Sequence, residues 1–550
     1  MAWKSEIYEI LKPYMAAPSD TGTAREKTAE AFLEDWFGSQ DYFREHPEFW
    51  GLEPTAEDGL DRHVVWGMVK GEGDATVVMV HHYDVVDALD FGAAMDAAYD
   101  LDRVHGALES MVDQFDAEAR ADFEDENWIF GRGGADMKAG GAMQMALLRR
   151  VSREAGFSGN LILCCLPDEE NMSAGMRAAV PLLARLKEKY NLDYRLMIDS
   201  EPHEREKPDE GILYQGSVGK LMPLVYARGR LAHSGRIFEG LNALNLISQL
   251  VVDTELNMAF SEGEGDEVLP PPAWLYARDG KTAYDVSIPV TAGAYMNLLT
   301  LGRSPGEVLA LLKASAERAF DAVLERMNRS HAQFCKASGQ PGSPLPWKRR
   351  VVTFDQLIRE IREASDADFD RAFQDELVRH KAAIDGGESS YMDASFALVE
   401  WCLARHPDKD PVMVLALSPP YYTPVCNTRV AEVREGVKTL GAVVDDFTRI
   451  RWNQPYTVKN YFTGICDLSY AYPPERPSDM DEIAENMPLW GRVYDIPFGA
   501  IRAVAMPSVN IGPWGKDLHK LTERVHAVDL YQRTPAILDF VVRRILADPA

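Results

Sequence analysis

Val77-Val78-Met79-Val80-His81-His82-Tyr83-Asp84 begins with four apolar residues, three of them β-branched, and ends in a His-x-Asp. Such a run reads as a buried strand, and it delivers a histidine and an aspartate to the strand's C-terminal end. Open α/β sheets carry their chemistry at that edge. Side chains alternate along a strand, so His82 and Asp84 fall on one side, where the carboxylate can orient or polarise the imidazole. His81 points the other way, as a core group. Alone, the tripeptide fits a satisfied histidine at a turn better than it fits a metal ligand.

Other strand ends repeat the pattern. Asn160-Leu161-Ile162-Leu163-Cys164-Cys165-Leu166 runs into Pro167-Asp168-Glu169-Glu170, and Tyr194-Arg195-Leu196-Met197-Ile198 into Asp199-Ser200-Glu201-Pro202. Adjacent carboxylates in a cleft repel one another unless protons or a cation neutralise them. Between these strands lies Gly131-Arg132-Gly133-Gly134-Ala135-Asp136-Met137-Lys138, a glycine-rich turn feeding a helix. It matches neither phosphate-loop pattern, and Asp136 would repel a phosphate, so a cation suits it better. His82, Asp136, Glu170 and Glu201 then make an imidazole and hard-oxygen set appropriate to a borderline dication. Asp199, two positions before Glu201 on the same face, is the rival ligand there.

The 550 residues exceed what one core usually supports, and the 46% apolar content can fill two or three. A formal charge of −28, from 58 basic and 86 acidic residues, argues against nucleic acid or an anionic membrane as partner. No secretory signal and no apolar run long enough to span a bilayer are recognisable, so the expectation is a cytoplasmic protein. The six cysteines have no C-x-x-C spacing and read as buried thiols. Residues 87–126 are acidic and helical in pattern, which predicts a solvated surface helix rather than a filter for acidic substrates.

Strands and helices alternate as far as residue 212, where a first catalytic part, 1–212, is expected to end. Residues 213–330 read as an inserted α+β domain carrying Ala232-His233-Ser234 and Asn242-Ala243. Residues 331–550 return to the first domain, with helices near 354–384 and 388–405, a strand at 412–417, and a last strand over 503–511 leading to Gly512-Pro513 and His519.

In this order the motifs resemble the co-catalytic di-zinc peptidases of the aminoacylase, carboxypeptidase G and peptidase T type. They are His82-Tyr83-Asp84, Gly131-Arg132-Gly133 through Lys138, Asp168-Glu169-Glu170, Glu201-Pro202, Ala232-His233 with Asn242-Ala243, and Gly512-Pro513 through His519. Length and layout look most like the arginine-utilisation (RocB-type) branch. The resemblance implies a zinc-exopeptidase-like α/β catalytic domain, its mixed central sheet flanked by helices, with the inserted α+β domain serving as lid and dimerisation surface.

It also implies two zinc ions, replaceable by cobalt or manganese. Asp136 would bridge them, His82 and Glu201 would complete one position, and Glu170 and His519 the other. Glu169 would be the general base and Asp84 the support behind His82. The Asp136–Met137 bond is a candidate for the cis form. His233 would reach the site of a neighbouring subunit in a homodimer, and Asn242 would bind substrate. The expected reaction is hydrolysis of an amide bond in a small peptide or N-acyl amino acid. A catalytically silent amino-acid-binding or regulatory protein on the same fold is the alternative, and a binding module has no need of Glu169 beside Glu170.

Overall fold

The computed structural model describes residues 3–55, 58–364, 368–430 and 433–548. Its chain falls into two units. The first comprises the chain up to Val218, Val425–Pro473 and the chain from Ile496 onward; the second comprises Gly219–Pro424 and Pro474–Asp495.

The first unit is built on an eight-stranded sheet in the order Trp50–Pro54, His63–Lys70, Ser158–Leu166, Glu72–His82, Asp193–Asp199, Ser508–Asn510, Gly211–Tyr214, Tyr456–Lys459. Glu72–His82 runs parallel to both neighbours, Ser158–Leu166 and Asp193–Asp199, and Ser508–Asn510 continues the parallel set. Antiparallel pairing begins at His63–Lys70 on one side and between Ser508–Asn510 and Gly211–Tyr214 on the other.

Parallel strands covered on both faces read as unbroken apolar runs, which is why this part of the sequence shows no polar alternation. Val77, Met79, Leu161, Leu163, Cys165, Leu196 and Ile198 join one core with helices Lys4–Met15, Ala139–Val151 and Thr534–Leu546. Val78, Val80, Ile162, Cys164 and Met197 are equally buried and belong to the opposite face. Helix Ala174–Tyr190 packs against Ser158–Leu166. All six cysteines are buried, and none forms a disulfide among the described residues.

The parallel register aligns the strand ends. His82 pairs with Leu166, and Val80 with Asp199. The chain therefore leaves three neighbouring strands at one edge, with Tyr83-Asp84, Pro167 through Glu170, and Ser200-Glu201 following directly.

Several expectations are corrected. Residues 87–126 do not form a solvated helix. They fold as short helical turns, among them Leu89–Ala97, Val104–Glu109 and Ala117–Phe123, around a small core of Phe91, Tyr99, Leu108, Phe115 and Phe130. The apolar run 503–506 closes helix Phe498–Val504, and the last strand of the sheet is only Ser508–Asn510. Pro507, which cannot donate to a ladder, separates the two.

The second unit extends past residue 330. Its five-stranded sheet has the order Ala273–Asp279, Thr291–Thr300, Gly219–Arg228, Val412–Tyr422, Val351–Thr353. Val412–Tyr422 pairs antiparallel with Gly219–Arg228 and so belongs to the same sheet. The long helix Pro305–Ser338 is fixed at its start by a capping box between Ser304 and Glu307. Among the described residues no helix is long and apolar enough to cross a membrane.

Candidate metal centre

The edge of the parallel sheet gathers two imidazoles and several carboxylates. His82, fully buried, places Nε2 3.0 Å from Asp136 Oδ1 and 3.3 Å from Glu201 Oε1. Its other nitrogen, Nδ1, lies 2.8 Å from the main-chain oxygen of Asp84 and 3.7 Å from that residue's carboxylate. His519 places Nε2 3.0 Å from Asp136 Oδ2 and 3.0 Å from Glu170 Oε1. The two oxygens of Asp136 thus face two different histidines, with Glu201 completing one side and Glu170 the other. Side-chain donor atoms of His82, Asp136 and Glu170 come within 4.8 Å of one another, as do those of His82, Glu169 and Glu201. Asp199 is buried but belongs to neither group, its Oδ1 accepting the N–H of Ser200.

The donor set fits a dication. A proton on Nδ1 of His82 satisfies the Asp84 carbonyl and leaves the Nε2 lone pair aimed at two carboxylate oxygens. Three electron-rich atoms then converge where one proton could serve only one of them. Imidazole nitrogen with carboxylate oxygen is the ligand chemistry of zinc and its neighbours. Without a metal, protons take that role. Burial alone would lower the His82 pKa, but Glu201 and Asp136 outweigh it and raise it well above the ordinary imidazole value. Bonds to Asp136 and Glu170 push His519 up to about 11. Burial pushes Glu169 well above the carboxylate range, helped by the charges of Asp467, Glu170 and Glu201 against the pull of His82.

Besides lying behind His82, Asp84 supports the site through its carboxylate. Its Oδ1 accepts the N–H of Glu169 and its Oδ2 that of Glu170, at 3.1 and 3.2 Å. One carboxylate therefore orients the turn bearing both glutamates, while the Asp84 carbonyl orients His82. Asp168, at φ +67°, anchors the same turn. Its Oδ1 accepts from Arg62 Nη1 at 2.6 Å, and the same Arg62 nitrogen lies 2.7 Å from Glu26 Oε1. The Asp136–Met137 bond is cis. His81 faces helix Ala139–Val151, its Nδ1 3.0 Å from Gln144 Oε1, and burial lowers its pKa to about 4.

His233 and Asn242 belong to the second unit. His233 is exposed, and its Nδ1 accepts the N–H of Gly235 at 3.0 Å. Asn242 caps helix Ala243–Thr254, its Oδ1 accepting from Leu244 N at 2.9 Å.

Two residues of the first unit escaped the sequence reading. Asp467 is buried, and neither of its carboxylate oxygens has a hydrogen bond among the described residues. Its short helix Asp467–Tyr470 packs against Glu72–His82 and Asp193–Asp199. Glu523, also buried, accepts the N–H groups of Gly133, Ala135 and Asp136 at 3.0, 3.0 and 3.2 Å. The glycine-rich turn is thus an anion cradle after all, and the anion is a side chain of the same protein. Gly133 is required there: its φ is +69°, and a Cβ would lie 2.2 Å from Val85. A glycine turn full of unpartnered N–H groups was the available signal, and nothing local in the sequence names the distant glutamate that fills it.

Sheet, crossovers and a carboxylate–histidine cluster at the strand ends give an α/β fold with a candidate metal centre where such folds carry their chemistry. The chain belongs to peptidase family M20/M25/M40, whose sequence profile matches residues 98–526. It is 30% identical over 552 residues to the uncharacterised protein YqjN of Bacillus subtilis (strain 168), covering 99% of this chain and 98% of that one. It is 27% identical over 529 residues to protein RocB of the same organism, covering 94% and 91%. Among solved structures, the metallo-carboxypeptidase Sso-CP2 of Sulfolobus solfataricus aligns with TM-score 0.53 at 12% identity, over 98% of this chain and 99% of that one. Human carnosine dipeptidase 1 aligns with TM-score 0.52 at 11% identity, over 99% and 97%. At such identities the structural likeness speaks for the fold alone.

Proposed function

We propose that this chain is a di-zinc amidohydrolase that cleaves an amide bond in a small peptide or N-acyl amino acid, acting in the cytoplasm as a homodimer. The observation that carries the reading is the opposition of His82 Nε2 and His519 Nε2 across Asp136, each 3.0 Å from a different oxygen of that carboxylate. On this reading Asp136 would serve both zinc ions, His82 and Glu201 would hold one, and Glu170 and His519 would hold the other. When bound, the two ions supply Lewis-acid polarisation of the amide carbonyl and a nucleophile available at neutral pH.

The remaining steps are the protein's own. Glu169 is the general base: burial and neighbouring charge raise its proton affinity above that of a free carboxylate. A Glu169 oxygen takes a proton from the attacking water as the new C–O bond forms, and delivers it to the departing nitrogen as the C–N bond breaks. Asp84 keeps Glu169 in place through that residue's N–H. His233, supplied by a second copy, would polarise the substrate carbonyl, and its exposure leaves the imidazole available for that role. Asn242 would bind the substrate's polar end beside it.

Hydrolysis of a panel of dipeptides and N-acyl amino acids by zinc-loaded protein tests the reading, with arginine-containing amides screened first because of the likeness to the arginine-utilisation branch. Glu169→Gln should keep two zinc ions per chain and lose about 10²–10⁴ in kcat. Binding of amino acids without turnover of any amide would favour the silent alternative. Full activity in the variant would remove Glu169 as the base.

A further inference from the structure

Glu523 and His519 lie on one connection, between the paired strands Gly515–Lys516 and Arg524–His526. Three N–H groups of the Asp136 turn converge on the Glu523 carboxylate, including that of Asp136 itself. Arg132 Nε stands 3.3 Å from the same carboxylate, and the main-chain oxygen of Glu523 accepts the N–H of Gly131 at 3.1 Å. The turn is thus gripped through both the side chain and the backbone of one residue. His519 projects from the same connection to Asp136 Oδ2.

We propose that Glu523 is a positioning residue that fixes the Asp136 turn against the His519 connection, and so sets the affinity of the metal position formed by Asp136, His519 and Glu170. The proposal rests on the two-metal reading above. It predicts an asymmetry. Asp136 serves both positions, but His82 is held by the sheet strand Glu72–His82 and by the Asp84 carbonyl, and Glu201 follows Asp193–Asp199, so neither is carried on the hairpin, whereas His519 is. A glutamine at 523 would offer one accepting oxygen and turn an N–H₂ toward N–H donors, which loosens the cradle without changing the size of the side chain.

The test is zinc binding by metal-free Glu523→Gln in equilibrium dialysis, with the absorption spectrum of the cobalt form as a second readout. Tightly held zinc should fall from two per chain to one, the weakened position losing about ten- to a hundredfold in affinity. The cobalt spectrum of the remaining ion should match that of His519→Ala and differ from that of His82→Ala. A merely structural role would lower the melting temperature of the metal-free protein without separating the two positions. If Glu523→Gln does not fold, Glu523→Asp, which keeps the charge but shortens the reach, carries the same readouts. Equal weakening of both positions, or wild-type affinity at both, overturns the proposal. Wild-type protein that binds fewer than two zinc ions would instead overturn the two-metal reading.

Discussion

The two histidines of the centre stand on different kinds of ground. His82 ends a strand hydrogen-bonded on both sides, its side chain is 0% exposed, and its second nitrogen faces a main-chain carbonyl. His519 sits in a connection at φ +66°, in the left-handed region, with its side chain 47% exposed. One half of the centre is therefore made by the sheet, whereas the other is made by a loop that must be tied down. Backbone in the left-handed region costs a non-glycine residue about 1–3 kcal/mol and persists where its surroundings over-determine it. Here Glu523 and the neighbouring Asp517–Arg524 pair at 2.5 Å supply that constraint.

The contrast can be broken most strongly by removing each imidazole from the metal-free protein. His82→Ala should destabilise it by about 3–5 kcal/mol, because the buried carboxylates of Asp136 and Glu201 lose a fully enclosed counter-charge. His519→Ala should cost about 1 kcal/mol or less, since water reaches that side. Urea unfolding of both variants measures the gap, and equal losses would erase the distinction.

A comparable effect is expected where the chain after Glu201 meets the C-terminal segment. Arg205 and Asp529 form an ion pair with both side chains at 0% exposure. Arg205→Met should leave Asp529 with Arg533 at 3.2 Å as its remaining arginine partner and cost about 3 kcal/mol, whereas replacing both Arg205 and Asp529 by apolar residues of similar size should restore much of it. A double-mutant cycle followed by thermal melting reads the difference.

The smallest of the three effects concerns pH. Burial depresses the folded-state pKa of His81 from 6.5 to about 4. The unfolded chain therefore binds the proton more tightly, and the contribution is fully present above pH 6.5 and lost as pH falls toward 4. Its size is about 3 kcal/mol. Wild type should lose that much more stability than His81→Met across this window, and parallel curves would show that His81 does not titrate there.

The parallel sheet was legible because burial on both faces leaves a plain signature of apolar runs ending in polar residues. That is why His82, Glu170 and Glu201 could be picked out from local sequence as candidates, whereas the role of Glu169 came only from the resemblance. The geometry separates Glu201 from Asp199 by a difference in reach that strand alternation does not encode: both lie on the same face, but only Glu201 extends to His82. The 87–126 core was hidden for the opposite reason. Its apolar residues are spaced by short turns with no single period, and their partners Trp128, Phe130 and Trp514 come from elsewhere in the chain. Val412–Tyr422 was visible as a strand, but its sheet was not, since pairing with Gly219–Arg228 is a contact between distant segments. Glu523 is the extreme case, an acceptor 387 residues from the Asp136 N–H it receives.

Because the first unit is closed by chain that follows residue 496, its construction has an order in time. Asp136 and Glu170 are synthesised 383 and 349 residues before His519. At translation rates of about 5–20 residues per second, Glu170 waits roughly 20–70 s for its histidine on the ribosome. Through that interval the strand-end carboxylates are present without their last imidazole or the Glu523 clasp. The centre is thus completed only once residue 519 has been made, and a nascent chain that stalls before it carries His82, Asp136, Glu170 and Glu201 but never the finished pair.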